Sequence, residues 1–316
     1  MTQRESFVWP RRIFWALTAT VGSIVIGLDS VGHPLVKPAP VPVSSLTQQE
    51  KDIALNSLNL KAIVGERVKT FEQEIAKLAQ QVTTFSVPKE FEGKTVFDVK
   101  LLPQQKVIAL TFDDGPWSRS TKQILEILKQ NHIEATFFWI GQNVKNFPAI
   151  SQQVVSDGHA IGNHTWHHWY RRMDSTTAVQ EINNTANLIY ETTGVRTFLF
   201  RPPGGFLDNG PAEYARQKND AIIMWSDDSR DWSKRTSLAQ LINNVLNEAH
   251  SGGIVLMHDG GGDRSKTVKA LPTIIATLRQ RGYKFVTVPE LLAIKDKIRL
   301  AKPAPSLTIF TSHHPQ

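Results

Sequence analysis

The sequence contains no cysteine. This absence excludes disulfide bonds, thiolate metal ligands and a cysteine nucleophile, so any metal ion must be bound through His, Asp or Glu. Acidic residues are fewer than basic ones, and 36 Lys and Arg against 29 Asp and Glu give a formal net charge of +7. This charge is compatible with an anionic polymer or an anionic lipid without selecting either. We predict no nucleic acid partner.

A long hydrophobic run is also lacking near the amino terminus, where the uncharged stretch 13–28 has only 16 residues. As a helix it would span about 24 Å, against a hydrocarbon core of about 30 Å. The stretch follows Arg4, Arg11 and Arg12, and such a positive flank is typical of a signal sequence. We interpret residues 1–32 as an uncleaved signal anchor, with a cleaved signal peptide and a buried soluble helix as alternatives. Either membrane interpretation places the rest of the chain on the extracytoplasmic face of the cell envelope.

Residues 33–103 are predicted to form a linker and a helical segment. Prolines at positions 34, 38, 40 and 42 favour an extended linker. From residue 60 to 82, apolar residues recur every three or four positions, which predicts an amphipathic helix. We interpret this helix as a stalk or as packed on the main domain. The alternative is a coiled coil that mediates self-association through residues 60–82.

Between residues 104 and 290, short β-rich runs alternate with amphipathic helical stretches. Such alternation predicts parallel strands joined by right-handed crossovers. An incomplete barrel and an open doubly wound sheet both fit the pattern, and residues 291–316 are expected to form a C-terminal tail. The predicted strands are 107–111, 135–140, 159–162, 198–200, 221–225, 254–257 and 284–287.

The residues that could carry chemistry share one place in this pattern, because each follows or ends a predicted strand. In parallel α/β folds the carboxyl ends of the strands open onto one face, where ligands bind. We therefore expect these residues to converge on one site. They are Asp113 and Asp114 after the first strand, His164 and His168 after the third, Arg201 at the end of the fourth, Asp228, Asp231 and Trp232 after the fifth, and His258 at the end of the sixth.

Two of these histidines have the spacing of metal ligands. His164 and His168 are four residues apart, so on one helical turn both rings would face the same ion. His167, at a spacing of three, is the alternative second ligand. Thr165 occupies the position where the zinc protease motif requires Glu, which excludes that class. With a carboxylate from Asp114, such a site leaves positions open for water and substrate. We predict one divalent ion, zinc first, with cobalt, nickel, manganese and iron as alternatives.

Taken together, the motifs resemble a known family. In chain order they are Thr111-Phe112-Asp113-Asp114-Gly115, His164-Thr165-x-x-His168, Arg201-x-Pro203, Asp228-x-x-Asp231-Trp232 and Leu256-x-His258. This series resembles the five motifs of the NodB-like polysaccharide deacetylases, carbohydrate esterase family four, over about residues 104–290. The resemblance implies a distorted seven-strand (β/α) barrel and metal-dependent hydrolysis of acetyl groups on sugars.

The resemblance also implies a role for each site residue. By similarity, the metal ligands are Asp114, His164 and His168, the general base is Asp113 oriented by Arg201, the general acid is His258 held by Asp231, and the acetyl pocket is walled by Trp232 and Leu256. One position departs from the family, which usually has an aromatic residue where this chain has Gly204. The backbone N–H that would contribute to the oxyanion hole is retained. The side-chain wall is lost, which predicts a more open groove.

These inferences predict an enzyme that hydrolyses an N-acetylated cell-envelope glycan. Bound zinc lowers the pKa of its water from 15.7 to about 7, which makes that water the predicted nucleophile. Peptidoglycan is the first substrate that we predict, and chitin-like oligomers are the second. The alternatives are a carbohydrate O-acetyl esterase that uses the same site, a glycan-binding pseudoenzyme, and an envelope scaffold that uses the 60–82 helix.

The predicted topology can be tested with reporters fused after Pro88. Because an arginine-rich flank stays in the cytoplasm, a reporter that functions only after export should be active at this position. A reporter that functions only in the cytoplasm serves as the matched control and should be inactive there. The opposite pattern would contradict the anchor interpretation.

Overall fold

The computed structural model describes residues 49, 64–70, 84–102 and 104–301. They belong to two units, Met1–Glu72 and Gln73–Gln316. In the first unit residues 64–70 are helical, and the rest of the predicted 60–82 amphipathic helix lies outside the described residues. The predicted membrane segment at 13–28 also lies outside them. Among the residues that are described, no helix has the length and apolar character to cross a membrane.

The second unit is built on parallel β-structure. One sheet has nine strands with the order β2-β8-β7-β5-β4-β3-β10-β9, and β11 pairs with the beginning of β3. A separate two-stranded sheet pairs β1 with β6. The strands are β1 Thr84–Phe85, β2 Thr95–Val96, β3 Val107–Asp113, β4 Thr136–Trp139, β5 Ala160–Asn163, β6 Arg196–Thr197, β7 Leu199–Phe200, β8 Ala221–Ile223, β9 Asp227–Asp228, β10 Gly253–His258 and β11 Lys284–Phe285.

Helices connect these strands, as expected for parallel crossovers. Each of the seven predicted strands is present, as β3, β4, β5, β7, β8, β10 and β11, with bounds shifted by up to two residues. The helices are α1 Ser120–Gln130, α2 Gly141–Asn146, α3 Pro148–Ser156, α4 Ser175–Thr193, α5 Pro211–Gln217, α6 Leu238–Glu248, α7 Ser265–Gln280 and α8 Val288–Ala301.

The sheet curls into a half-barrel, and its ladder ends at β2 on one side and at β9 on the other without closing. Strand β8 pairs with β7 at one edge and with β2 at the other, whereas β9 pairs with β10. Only residues 224–226 separate β8 from β9 along the chain, and in the described part of the chain these two strands do not pair. The α/β class and the curled parallel sheet agree with the predicted distorted barrel.

Strand β3 lies near the middle of the sheet and separates two hydrophobic clusters. Leu110 and Phe112 pack with apolar residues of α1 and α7. Ala109 belongs to the second cluster. Because successive side chains of a strand point to opposite faces, Thr111 and Asp113 share the face of Ala109. The strand thereby carries a polar pair at the end of its inner face.

Candidate active site

The predicted site residues surround one cavity of about 620 Å³ at the carboxyl ends of the strands. Arg201 and Asp231 do not line it and lie buried behind it. The predicted residues in the cavity wall are Asp113, Asp114, His164, His168, Gly204, Asp228, Trp232, Leu256 and His258. The sequence-derived residues are thus brought together in space.

A group of three side chains in this cavity has the arrangement of a metal site. Ligand atoms of Asp114, His164 and His168 all lie within 4.8 Å of one another. Oδ1 of Asp114 is 3.1 Å from Nε2 of His168 and 3.6 Å from Nε2 of His164. This oxygen is buried and has no hydrogen-bond partner in the described structure. A buried, unpartnered carboxylate oxygen facing two imidazole nitrogens fits a divalent cation.

A hydrogen bond at Nδ1 fixes the orientation and the tautomer of the His164 ring. Nδ1 lies 2.7 Å from the carbonyl oxygen of Arg201, so it donates its proton there and Nε2 presents a lone pair. Burial lowers the pKa of His164 to about 4. The imidazole is therefore neutral at physiological pH, as a metal ligand must be.

The carboxyl group of Asp114 is held in its ionised form. Burial alone would raise its pKa. Close contact with His168 and the positive charge of His258 outweigh burial and hold the pKa of Asp114 well below its usual range. The backbone of Asp114 has φ 71° and that of His168 has φ 60°. The positive φ turns the side chain of Asp114 out of the regular direction of β3, and His168 lies in the loop after β5.

The alternative ligand His167 is directed away from this group. Its Nδ1 lies 2.5 Å from Oε1 of Glu181, and its ring stacks on Trp169 with centroids 4.1 Å apart. Oε2 of Glu181 also accepts the backbone N–H groups of Trp166 and His167. Glu181, on α4, therefore fixes the ring of His167 at the edge of the loop.

Asp113 is oriented by a fully buried arginine. Nη1 of Arg201 donates to Oδ1 of Asp113 at 2.7 Å and to Oγ1 of Thr111 at 2.7 Å. The guanidinium also lies over the ring of Phe138, 4.1 Å from its centroid. Oδ2 of Asp113 is 3.8 Å from Nε2 of His164. One carboxylate oxygen is thus bound by Arg201, and the other is directed toward the metal-ligand group.

His258 forms a charged pair with Asp231. Nδ1 of His258 lies 2.7 Å from Oδ1 of Asp231, while Oδ2 accepts the backbone N–H of His258 at 2.8 Å and the hydroxyl of Thr267 at 2.7 Å. Burial lowers the pKa of His258, but the charge of Asp231 and its hydrogen bond outweigh this effect and raise the pKa to about 9. The imidazole is therefore protonated at neutral pH.

Two residues that support this arrangement were missed by sequence reasoning. Thr267, on α7, supplies the third hydrogen bond to the carboxylate of Asp231. Arg264 is buried, donates from Nε to the carbonyl oxygen of Gly260 at 2.6 Å, and places Nη2 3.8 Å from Oδ2 of Asp114. No spacing signal could have identified them, because their partners lie on other elements or are backbone carbonyl groups.

Two aromatic rings border the groove beside Gly204. A Cβ atom at this glycine would lie 2.9 Å from the ring of Phe206 and 3.0 Å from the ring of Tyr170. Both rings line the cavity. The space that an aromatic side chain at position 204 would occupy is therefore already taken by two other aromatic residues.

Comparison with known proteins gives a consistent assignment. Residues 101–220 match the family model for polysaccharide deacetylase. A peptidoglycan-N-acetylglucosamine deacetylase of Bacillus cereus is 40% identical over 209 residues, which cover 66% of this chain and 98% of the relative. The peptidoglycan-N-acetylmuramic acid deacetylase PdaC of Bacillus subtilis is 35% identical over 257 residues, which cover 80% of this chain and 52% of PdaC.

Solved structures agree with this assignment at the level of the fold. The crystal structure of a peptidoglycan N-acetylglucosamine deacetylase matches with a TM-score of 0.59 and 34% identity, over 64% of this chain and 94% of that chain. The motif series, the cavity and the relatives point to the same group of proteins. The chain belongs to the polysaccharide deacetylases of carbohydrate esterase family four, which are hydrolases that act on N-acetyl amide bonds.

Proposed function

We propose that this chain deacetylates an N-acetylated glycan of the cell envelope, with peptidoglycan as the first candidate and chitin-like oligomers as the second. The observation that carries the proposal is that His258, which is held by Asp231, lines the same cavity as Asp113 and the metal-ligand group. The names of the relatives favour peptidoglycan. In this proposal residues 104–290 form the catalytic domain, in the form of a seven-strand barrel. The segment 1–32 tethers it to the extracytoplasmic face.

The proposed cofactor is one divalent ion held by Asp114, His164 and His168. Two imidazole nitrogens and one carboxylate oxygen suit zinc best, and cobalt, nickel, manganese and iron accept the same donor set. When bound, such an ion polarises the acetyl carbonyl group and makes water a competent nucleophile at neutral pH.

Asp113 is the proposed general base. Its Oδ2 is directed toward the metal-ligand group, so it can accept a proton from the attacking water. Arg201 prevents rotation of this carboxylate by holding Oδ1. Burying the guanidinium of Arg201 costs free energy of desolvation. This cost is offset because its N–H groups are hydrogen-bonded within the core.

His258 is the proposed general acid. An amine is a poor leaving group until it is protonated, and a histidine with a pKa of about 9 holds its proton at neutral pH. The strongly held imidazolium favours amide hydrolysis over ester hydrolysis, since an alcohol leaves more readily than an amine. The proposed ligands, base and acid are all present, which argues against a glycan-binding pseudoenzyme.

Acetate release by the full-length chain loaded with zinc tests this proposal. We expect acetate from peptidoglycan and from an N-acetylglucosamine pentamer at a higher rate than from an O-acetylated xylan. The variant Asp113→Asn is the matched control: it should keep its metal and lose about 10²–10⁴-fold in kcat, because base catalysis is lost. Acetate from the O-acetylated substrate alone would show an esterase. An empty metal site in the variant would make Asp113 a ligand.

The ligand set can be tested by metal analysis. We expect His168→Ala to remove most of the bound metal, because Nε2 of His168 is the nitrogen closest to Oδ1 of Asp114. His167→Ala is the control and should retain its metal, because that ring is bound to Glu181. Metal loss in His167→Ala with retention in His168→Ala would reverse the assignment.

The pH dependence of kcat tests the acid. His258 must be protonated to act, so activity is lost as the pH rises through its pKa. The carboxylate of Asp231 raises the pKa of His258 and so opposes the effect of burial. In Asp231→Asn this charge is lost, and burial lowers the pKa of His258 from about 9 toward or below the ordinary value of 6.5. The alkaline limb of the pH–rate profile should therefore move to lower pH, while metal content stays the same. An unchanged alkaline limb with weakened metal binding would contradict this role.

A further inference from the structure

A second cavity, of about 390 Å³, lies beside the catalytic cavity, between the loops that follow β3 and β10. Three of its wall residues carry positive charge, namely Arg119, directly before α1, Lys269, on α7, and Arg264. The side chains of Arg119 and Lys269 are exposed, whereas Arg264 is buried and forms part of the wall of both cavities. We name the cavity with these three residues the cationic pocket.

The positive charge continues on the other side of Arg264. A further cavity of about 340 Å³ shares Arg264 with the cationic pocket and is lined by Lys234 and Lys266. The ammonium group of Lys266 donates to the carbonyl oxygens of Lys234 and Thr236, at 3.2 and 2.7 Å. Five cations of the described structure therefore lie on or beside the loop 260–264.

Most of this charge is not neutralised by the protein. Nη2 of Arg264 lies 3.8 Å from Oδ2 of Asp114. The other four cations form no salt bridge with any carboxylate in the described part of the chain. Their charge is therefore available to an anionic ligand.

One acidic side chain, Asp263, lies among these cations and lines both cavities. Hydrogen bonds from Ser265, together with the positive charges of Arg119 and Lys266, hold the pKa of Asp263 below its usual value. This carboxylate is thus charged at neutral pH. The surface beside the active site combines a majority of cations with a single anion.

The cationic pocket also has an apolar side. The half-buried side chains of Trp117 and Val268 line it. Isolated surface lysines and arginines are usually only solvated. Here exposed cations and an apolar wall face one depression, and concave sites that combine apolar walls with a few charged groups are typical of ligand binding. The pocket therefore suits a ligand that has both an anionic group and small apolar groups.

We propose that the cationic pocket binds a carboxylate group of the peptide that peptidoglycan carries on its sugars, and so makes the enzyme prefer the peptide-bearing glycan to neutral N-acetylglucosamine oligomers. This inference rests on the proposed glycan deacetylation. Chains of N-acetylglucosamine carry no charge, whereas the peptides of peptidoglycan have free carboxylates and the methyl groups of alanine. Arginine and lysine bind carboxylates through charge-assisted hydrogen bonds.

The place of the pocket in the fold fits a group attached to a sugar at or next to the reacting centre. Strands β3 and β10 are paired, with His258 opposite Asp113. The loops of the cationic pocket follow these same two strands, and Arg264 in its wall also contacts the catalytic cavity. A peptide that extends from a sugar in the catalytic cavity therefore meets the cationic pocket on the far side of Arg264.

A phosphate group of a wall polymer offers the same negative charge, but Asp263 favours a peptide. A polyanion in the pocket would be repelled by this carboxylate. A peptide that contains a diamino acid carries an amino group as well as carboxylates. Such a ligand can pair with the cations and with Asp263 at the same time.

Steady-state kinetics with two forms of one substrate test this inference on the full-length, zinc-loaded chain. The charged form is a peptidoglycan tetrasaccharide with its peptides, and the neutralised form is the same fragment after its carboxyl groups have been converted to amides. We expect a lower KM for the charged form. The double variant Arg119→Gln, Lys269→Gln should raise that KM about 3- to 10-fold, the effect of losing two exposed ion pairs, and so remove most of the preference.

The salt dependence of the same kinetics gives a second readout. Exposed charges are screened as ionic strength rises. The preference of the unmodified chain for the charged form should therefore shrink at high salt. In the double variant the preference should depend little on salt.

The double variant Lys122→Gln, Lys129→Gln is the matched control. Both lysines are exposed residues of α1, and neither lines the cationic pocket. This control removes the same amount of positive charge, so it separates a local site from general attraction between a basic protein and an acidic glycan. Its KM for the charged form should match that of the unmodified chain. Thermal unfolding checks that all variants are folded, as expected for exposed substitutions.

The outcomes separate this inference from the proposed function. If acetate is released and KM is equal for the charged and neutralised forms, the inference is overturned and the proposed function stands. An equal rise in KM for both double variants would also overturn it. Competition distinguishes the two anions, because stronger inhibition by a glycerol phosphate oligomer than by the free peptide would overturn the assignment to a peptide carboxylate.

If the unmodified chain releases no acetate from either form, the proposed function fails. Calorimetric titration with the charged form then tests the pocket directly. Weaker binding by Arg119→Gln, Lys269→Gln than by the control variant would support the pocket as a carboxylate site. Equal binding by the two variants would overturn it.

Discussion

The buried ion pair between Arg201 and Asp113 is the interaction on which the rest of the site depends. Removing one partner of such a pair typically costs about 3–5 kcal/mol, because the remaining charge is left unpaired in the core. The carbonyl oxygen of Arg201 also accepts a hydrogen bond from Nδ1 of His164. The same residue thus orients the proposed base with its side chain and a proposed metal ligand with its backbone. Displacement of this arginine would disturb both.

Two neighbouring carboxylates acquire different environments because the chain changes direction between them. Asp113 ends a regular strand, so its side chain follows the alternation of β3 and meets the arginine of the core. Asp114 has a positive φ and is directed toward the histidines instead. Each carboxylate thus has its own partners, Arg201 for Asp113 and the histidines for Asp114. The change in backbone conformation therefore places Asp113 as the proposed base and Asp114 as a proposed metal ligand.

The sequence was sufficient to predict the seven strands with a clear apolar run and the residues at their carboxyl ends. The strands β1, β2, β6 and β9 have two residues each, which is too short for a periodic signal. The equally short β7 and β11 were predicted because they lie in the β-rich runs 198–200 and 284–287, which alternate with helical stretches. The sequence also showed the lost side chain at Gly204, but not the rings that replace it. Tyr170 and Phe206 come from two different loops, and their contact depends on how β5 and β7 pair. Contacts between loops of this kind require the three-dimensional structure.

The early end of β8 has a chemical consequence. The carbonyl oxygens of Ile223, the last residue of β8, and of Met224 accept hydrogen bonds from Nε and Nη2 of Arg201 at 2.9 Å each. In a longer regular ladder, N–H groups of neighbouring strands would compete for such oxygens. Without these acceptors the guanidinium would be buried with donors unsatisfied, at a high cost in free energy. The end of this short strand thus provides the acceptors that stabilise a cation inside the protein.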